Sequence, residues 1–170
     1  MGKAKYFSEL IGLPIDHHSA NTDEIQSLDL KEIATHKAHQ AFDQLQRPVI
    51  IEDTGLVIKM LGKLPGPFIK WLEKEMGLEK ICRLADQDPE RKAVASSVYV
   101  YYDGKKMHHF EGSLDGRIPD HPAGKTGFGW NPIFIPHYSH QTLAEMDDKT
   151  IKEAYVQIKS IYQLKKFLTA

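Results

Sequence analysis

Apolar positions along this chain follow two rhythms, one spaced for helices and one packed for strands. The run Ala4-Lys5-Tyr6-Phe7-Ser8-Glu9-Leu10-Ile11 has helical spacing, and Gly12-Leu13-Pro14 stops it. Asp29-Leu30-Lys31-Glu32 reads as an N-cap with an acid three residues on. The helix it opens is expected to bury Ile33, Ala34, the stem of Lys37, Ala38, Ala41, Phe42 and Leu45, ending before Arg47-Pro48. Val49, Ile50 and Ile51 then run without a polar residue, which predicts a short strand buried on both faces. A Gly- and Pro-rich loop at 62–67 precedes a helix over 68–76 with Ile69, Leu72 and Met76 inward, and another helical turn or two over 79–84. Residues 93–102 predict a long strand, Asp103-Gly104 a hairpin turn, 107–112 its partner and 112–118 a further strand. A Pro/Gly-rich loop covers 119–129, and Pro132-Ile133-Phe134-Ile135 predicts a short strand. Residues 152–168 predict one amphipathic closing helix bearing Ala154, Ile158, Ile161, Leu164 and Leu168.

Length and composition narrow the possibilities. The chain has 170 residues, 41% hydrophobic and 26% charged, which suits one globular domain with a sizeable core. Its formal net charge of −1 supplies no general field for nucleic acid or an acidic membrane. An anionic substrate must therefore be met by local lysines and metal. Cys82 is the single cysteine, so neither an intrachain disulfide nor a cysteine-rich zinc site is available. Its apolar neighbours place it on a helix facing the core. No apolar run is long enough to span a bilayer and no signal-peptide core is evident, so the expected location is the cytoplasm.

Candidate chemistry centres on Glu52-Asp53-Thr54-Gly55, where the buried strand meets two carboxylates. Acids at the C-terminal end of such a strand lie where open α/β sheets place ligands. Adjacent acids repel unless a cation or a proton intervenes, which suggests a Mg2+ site for a phosphate ester or anhydride. If the strand continues through them, Glu52 and Asp53 face opposite sides. The plain structural reading is a strand-to-loop junction capped by Asp53. Lys37 lies on the apolar side of its helix, where a lysine either snorkels or meets an anion; local sequence favours snorkelling. Glu24 sits in a loop, where an acid is ordinarily just solvated. Thr126-Gly127-Phe128-Gly129-Trp130-Asn131-Pro132 offers stacking surface with glycines that let a flat ligand approach, or else forms a structural aromatic corner. The pairs His17-His18, His108-His109 and His36/His39 lack a convincing third metal ligand. Residues 62–66 are not a P-loop, because no Gly-Lys-Ser/Thr follows.

Four blocks in order resemble the inosine triphosphate pyrophosphatase family. They are Glu24 to Asp29 continuing to Lys37-Ala38, Glu52-Asp53-Thr54-Gly55-Leu56, residues 62–71, and Gly127-Phe128-Gly129-Trp130-Asn131-Pro132-Ile133-Phe134. A weaker match follows through Thr142-Leu143-Ala144-Glu145-Met146. The resemblance implies an α/β fold, an elongated mixed sheet flanked by helices, with two lobes around a central cleft and assembly as a homodimer. It implies Mg2+-dependent attack of water on a nucleoside triphosphate, giving a nucleoside monophosphate and pyrophosphate. By resemblance, Glu24, Glu52 and Asp53 are metal residues and Asp53 also activates water. Lys3, Lys37 and Thr54 match phosphate-binding residues, Phe128, Gly129, Trp130 and Asn131 the loop that holds the base, and Lys152 a lysine of the closing helix.

The chain departs from the family pattern in three places. It begins after the family's Thr-Gly-Asn, so residues 1–170 are expected to form a single domain lacking the first strand. Asn131 stands where the family has Asp, removing a negative charge from the base loop. The closing helix carries no Ser-His-Arg, which bears on base selection more than on hydrolysis. The alternative readings are a weakened paralogue that binds nucleotides or serves as a structural subunit, and a septum-formation-type pyrophosphatase acting on modified pyrimidines.

Overall fold

The computed structural model describes residues 3–170, with residues 3–6 described by their backbone alone. Helix α1 (Lys3–Ile11) and helix α2 (Leu30–Leu45) precede strand β1 (Val49–Ile58), the two-residue strand β2 (Pro65–Gly66) and helix α3 (Ile69–Arg83). Strands β3 (Lys92–Tyr102) and β4 (Met107–Arg117), the short β5 (Ile135–Pro136) and helices α4 (Asp148–Ile158) and α5 (Ile161–Leu168) complete the order. The described strands form one sheet in the order β2-β1-β3-β4-β5, and each pairing is antiparallel.

Local sequence explains much of this. Asp29 accepts from the Lys31 N–H (2.8 Å) and caps α2, while Glu32 accepts from the Ser27 hydroxyl (2.6 Å). At the β3–β4 hairpin, Asp103 accepts from the N–H groups of Lys105 and Lys106 (2.8 and 2.7 Å), as expected for a turn at Asp103-Gly104. The two helical runs expected at 68–76 and 79–84 are the two halves of α3, parted at Gly77, whose φ is 77°.

Five expectations need correction. β1 does not end at the carboxylates but runs on to Ile58, because Leu56 and Ile58 bury fully against α3 and α4 and extend the ladder with β3. Ile50 and Ile51 are half-buried rather than enclosed. The stretch 112–118 is not a separate strand, since β4 continues without a break to Arg117. The segment 132–135 is a 3-10 turn, Asn131–Ile133, followed by β5. The closing helix breaks after Ile158, where Ser160 turns left-handed (φ 47°) and starts α5 in a new direction.

Alternation along β1 and β3 sorts the core into three clusters. Val49, Ile51, Val98 and Val100 pack on Ala34, Ala38 and Ala41 of α2. Ile50 and Tyr99 face the opposite way, toward Ile11 of α1 and Ile161 and Leu164 of α5. Leu56, Ile58, Ala95 and Leu114 pack with Ile69, Ile81 and Ile158, in the largest cluster. Burying each such Leu or Ile stabilises the fold by about 1.5–3 kcal/mol. Cys82 belongs to this cluster, as its neighbours predicted, and burial pushes its thiol up to about 11.

Candidate active site

Register places Glu52 opposite Tyr99 and Asp53 opposite Val98, so the two acids do occupy opposite faces of one strand. β1 pairs with β2 only at Leu56 and Val57, and its edge from Val49 to Gly55 has no strand partner among the described residues. A cavity of about 700 Å³ borders that edge, which is why the consecutive residues Glu52, Asp53 and Thr54 all line it. It takes side chains from two of the core clusters, Ile69, Tyr155 and Ile158 from the largest and Tyr99 from the one beside α5.

On the α2 face, Lys37 is 9% exposed and its ammonium bridges Asp53 Oδ1 (2.7 Å) and Glu24 Oε1 (3.1 Å). Lys37 therefore does not snorkel. It meets two anions inside the fold, and their hydrogen bonds and charges raise its pKa against the lowering effect of burial. Burial raises the pKa of Asp53, helped by the charges of Glu24 and Glu52, although Lys37 pulls the other way. Burial would raise Glu24 as well, but Lys37, Lys70 and Trp71 bring it below its ordinary value. Asp53 Oδ2 is buried and has no hydrogen-bond partner among the described residues. An orphaned carboxylate oxygen is costly.

On the other face, the Tyr99 hydroxyl donates to Glu52 Oε1 (2.9 Å), the Ser97 hydroxyl reaches the same oxygen (3.5 Å), and Lys159 donates to it as well. Lys159 is the residue after α4, and its ammonium lies 5.3 Å from the centre of the Tyr155 ring.

The far wall is the loop before the Asn131–Ile133 turn. Gly127 has φ 83°, and a Cβ there would fall 2.0 Å from the end of the Asn131 side-chain amide. Only glycine leaves room for Asn131 to tuck beneath the loop. The Asn131 nitrogen donates to the Phe128 carbonyl (3.0 Å), while its oxygen accepts from the Phe128 N–H (3.2 Å) and the Tyr155 hydroxyl. An ionised aspartate could not donate to that carbonyl, so the amide is the better loop staple here. Phe128 is 38% exposed at the cavity and Trp130 packs edge-on against Phe134.

The structure thus brings Glu24, Lys37, Glu52, Asp53, Thr54, Phe128, Gly129, Trp130 and Asn131 to one cavity. Lys152 is not there: it is exposed near the start of α4 and does not line the cavity, whereas Lys159, seven residues on, does. The side chain of Lys3 lies outside the described residues. Tyr99, Tyr155, Lys70, Trp71 and Glu73 also line the cavity and were not expected there. The histidine pairs form no metal cluster, and among the described residues no group of three or more His, Cys, Asp or Glu side chains is gathered as a metal site. Glu24 and Asp53 instead share an ammonium. That donor set, two carboxylates with one oxygen unsatisfied, fits a hard divalent cation.

Fold and cavity define a helix-flanked α/β protein with a cleft lined by carboxylates, lysines and aromatic rings. The Ham1 family model matches residues 1–167, and the chain belongs to that family. It is 37% identical over 136 residues to a dITP/XTP pyrophosphatase of Hyperthermus butylicus, spanning 80% of this chain and 72% of that protein. To inosine triphosphate pyrophosphatase 2 of Trypanosoma cruzi it is 36% identical over 153 residues, 89% of this chain and 78% of the relative. The Staphylococcus aureus Ham1 protein superimposes with a TM-score of 0.75 at 27% identity, over 95% of this chain and 84% of the other. Among the described residues no helix is long and apolar enough to cross a membrane.

Proposed function

We propose that this chain is a Mg2+-dependent nucleoside triphosphate pyrophosphatase that converts 6-oxo purine nucleotides, such as inosine and xanthosine triphosphates, to monophosphate and pyrophosphate. The observation that carries the reading is the Glu24–Lys37–Asp53 cluster, with its unsatisfied Asp53 oxygen, in the same cavity as the Phe128–Trp130 loop. The names of the relatives support the substrate class.

Charge sets the first requirement. Four acids (Glu24, Glu52, Asp53, Glu73) and three lysines (Lys37, Lys70, Lys159) line the cavity, a net charge of −1. A triphosphate adds about four negative charges, so further positive charge must enter with it. Mg2+ held by Glu24 and Asp53, with Glu52 nearby, would neutralise the phosphates and acidify water. Asp53 accepts the proton of the attacking water. Lys37 holds Asp53 in place and offers its charge to the phosphate chain. The Thr54 hydroxyl donates to a phosphate oxygen. Phe128 and Trp130 supply faces for the base, and Gly129 lets the ring approach.

Pyrophosphate release from inosine, xanthosine and adenosine triphosphates, with and without Mg2+, tests the reading. The expected outcome is Mg2+-dependent release from the first two, falling roughly a thousandfold in Asp53→Asn. Equal rates in the variant, or none in the unsubstituted protein, would overturn it.

A further inference from the structure

We propose that Lys159 is a substrate-binding residue that holds the phosphate chain, with Glu52 as the counter-ion that orients its ammonium toward the cavity. The inference rests on the function proposed above and concerns a residue that no pattern in the chain had marked.

Its position is built, not incidental. The α4–α5 break at Ser160 prevents α4 from continuing, and the Ser160 hydroxyl donates to the Glu111 carbonyl of β4. The end of α4 lies so close to β4 that a Cβ on Gly112 would fall 2.5 Å from the Ile158 carbonyl oxygen and 2.6 Å from that of Gln157. Glycine at 112 is what allows this approach, and it fixes the backbone that delivers Lys159 to the cavity.

The chemistry favours an anion. Lys37 is buried and shared between two carboxylates, so much of its charge is already matched. The Lys159 ammonium has three N–H donors and, among the described residues, hydrogen-bonds only to Glu52 Oε1. Two donors remain for phosphate oxygens without breaking that bond. Tyr99 and Ser97 reach the same Glu52 oxygen, so Glu52 remains hydrogen-bonded even where Lys159 shifts toward a ligand. Lys159 also cancels the charge of Glu52, which otherwise would repel the phosphates.

Calorimetric titration of the full chain with inorganic pyrophosphate, and separately with inosine, tests this in Mg2+ buffer. In Lys159→Met the pyrophosphate Kd should rise about tenfold, the loss of one charged hydrogen-bonding contact. Lys159→Arg should restore most of the affinity, and inosine binding should be equal in all three proteins. In turnover, the KM for inosine and adenosine triphosphates should rise by the same factor in Lys159→Met. Unchanged pyrophosphate affinity would make Lys159 a structural ion pair and overturn the inference. Loss of inosine affinity with pyrophosphate affinity intact would overturn it too, by placing the contact on the base. If the unsubstituted protein released no pyrophosphate from any triphosphate, the proposed function would fail. The pyrophosphate titration would still decide Lys159.

Discussion

Glu52 and Asp53 are neighbours on one strand, yet their surroundings could hardly differ more. Glu52 concentrates three donors on a single oxygen, two of them hydroxyls that cannot leave the fold. Asp53 shares one ammonium with Glu24 and keeps a buried oxygen with no partner among the described residues. Alternation of side chains along β1 does this. One acid turns to the tyrosine of β3 and the end of α4, the other to the lysine of α2. The lesson is that two like charges can be adjacent in sequence and still do different work. A satisfied carboxylate is an anchor, and an under-satisfied one seeks a cation or a proton.

The most direct way to break this contrast is to neutralise each acid in turn. Asp53→Asn should lower kcat roughly a thousandfold, while Glu52→Gln should mainly raise KM. Equal losses of kcat in the two variants would erase the distinction. Removing the cation of the α2 face comes next. Lys37→Met leaves Asp53 buried without its partner, and urea unfolding should report a loss of roughly 3–5 kcal/mol. On the other face, Tyr99→Phe removes one of several donors to Glu52 and should cost about 1 kcal/mol.

The smallest effect concerns pH. Burial, with the charges of Glu24 and Glu52, raises the Asp53 pKa, so its carboxyl carbon should titrate above the ordinary aspartate range in the metal-free protein, as read by NMR. An acid that binds its proton more tightly folded than unfolded favours folding as pH falls through the folded pKa toward the ordinary value. Asp53→Asn should remove that part of the stability slope. A titration at or below the ordinary value would mean that Lys37 outweighs burial.

Much of this was legible in the residues. The α2 cap at Asp29, the hairpin at Asp103-Gly104 and the core position of Cys82 follow from side chains acting on their own neighbourhood. β1 and β4 are both longer than local sequence predicts, for a shared reason. Glu52 and Gly112 read as strand ends, yet ladder pairing with β3 carries both strands through them. Lys37 read as a snorkelling side chain, because its two acids come from other segments.

Sequence by itself determined which residues could bear charge, which faces of the helices were apolar, and that an acid pair and an aromatic loop existed. It could do so because propensity, capping and alternation act within a few residues. Only the tertiary structure decided that Lys159 and not Lys152 reaches the cavity, that Tyr99 anchors Glu52, and that Asn131 accepts from the Tyr155 hydroxyl. Those outcomes depend on strand register, on a left-handed turn at Ser160 and on close approach at Gly112. Each joins groups tens of residues apart, and no local periodicity encodes such distances.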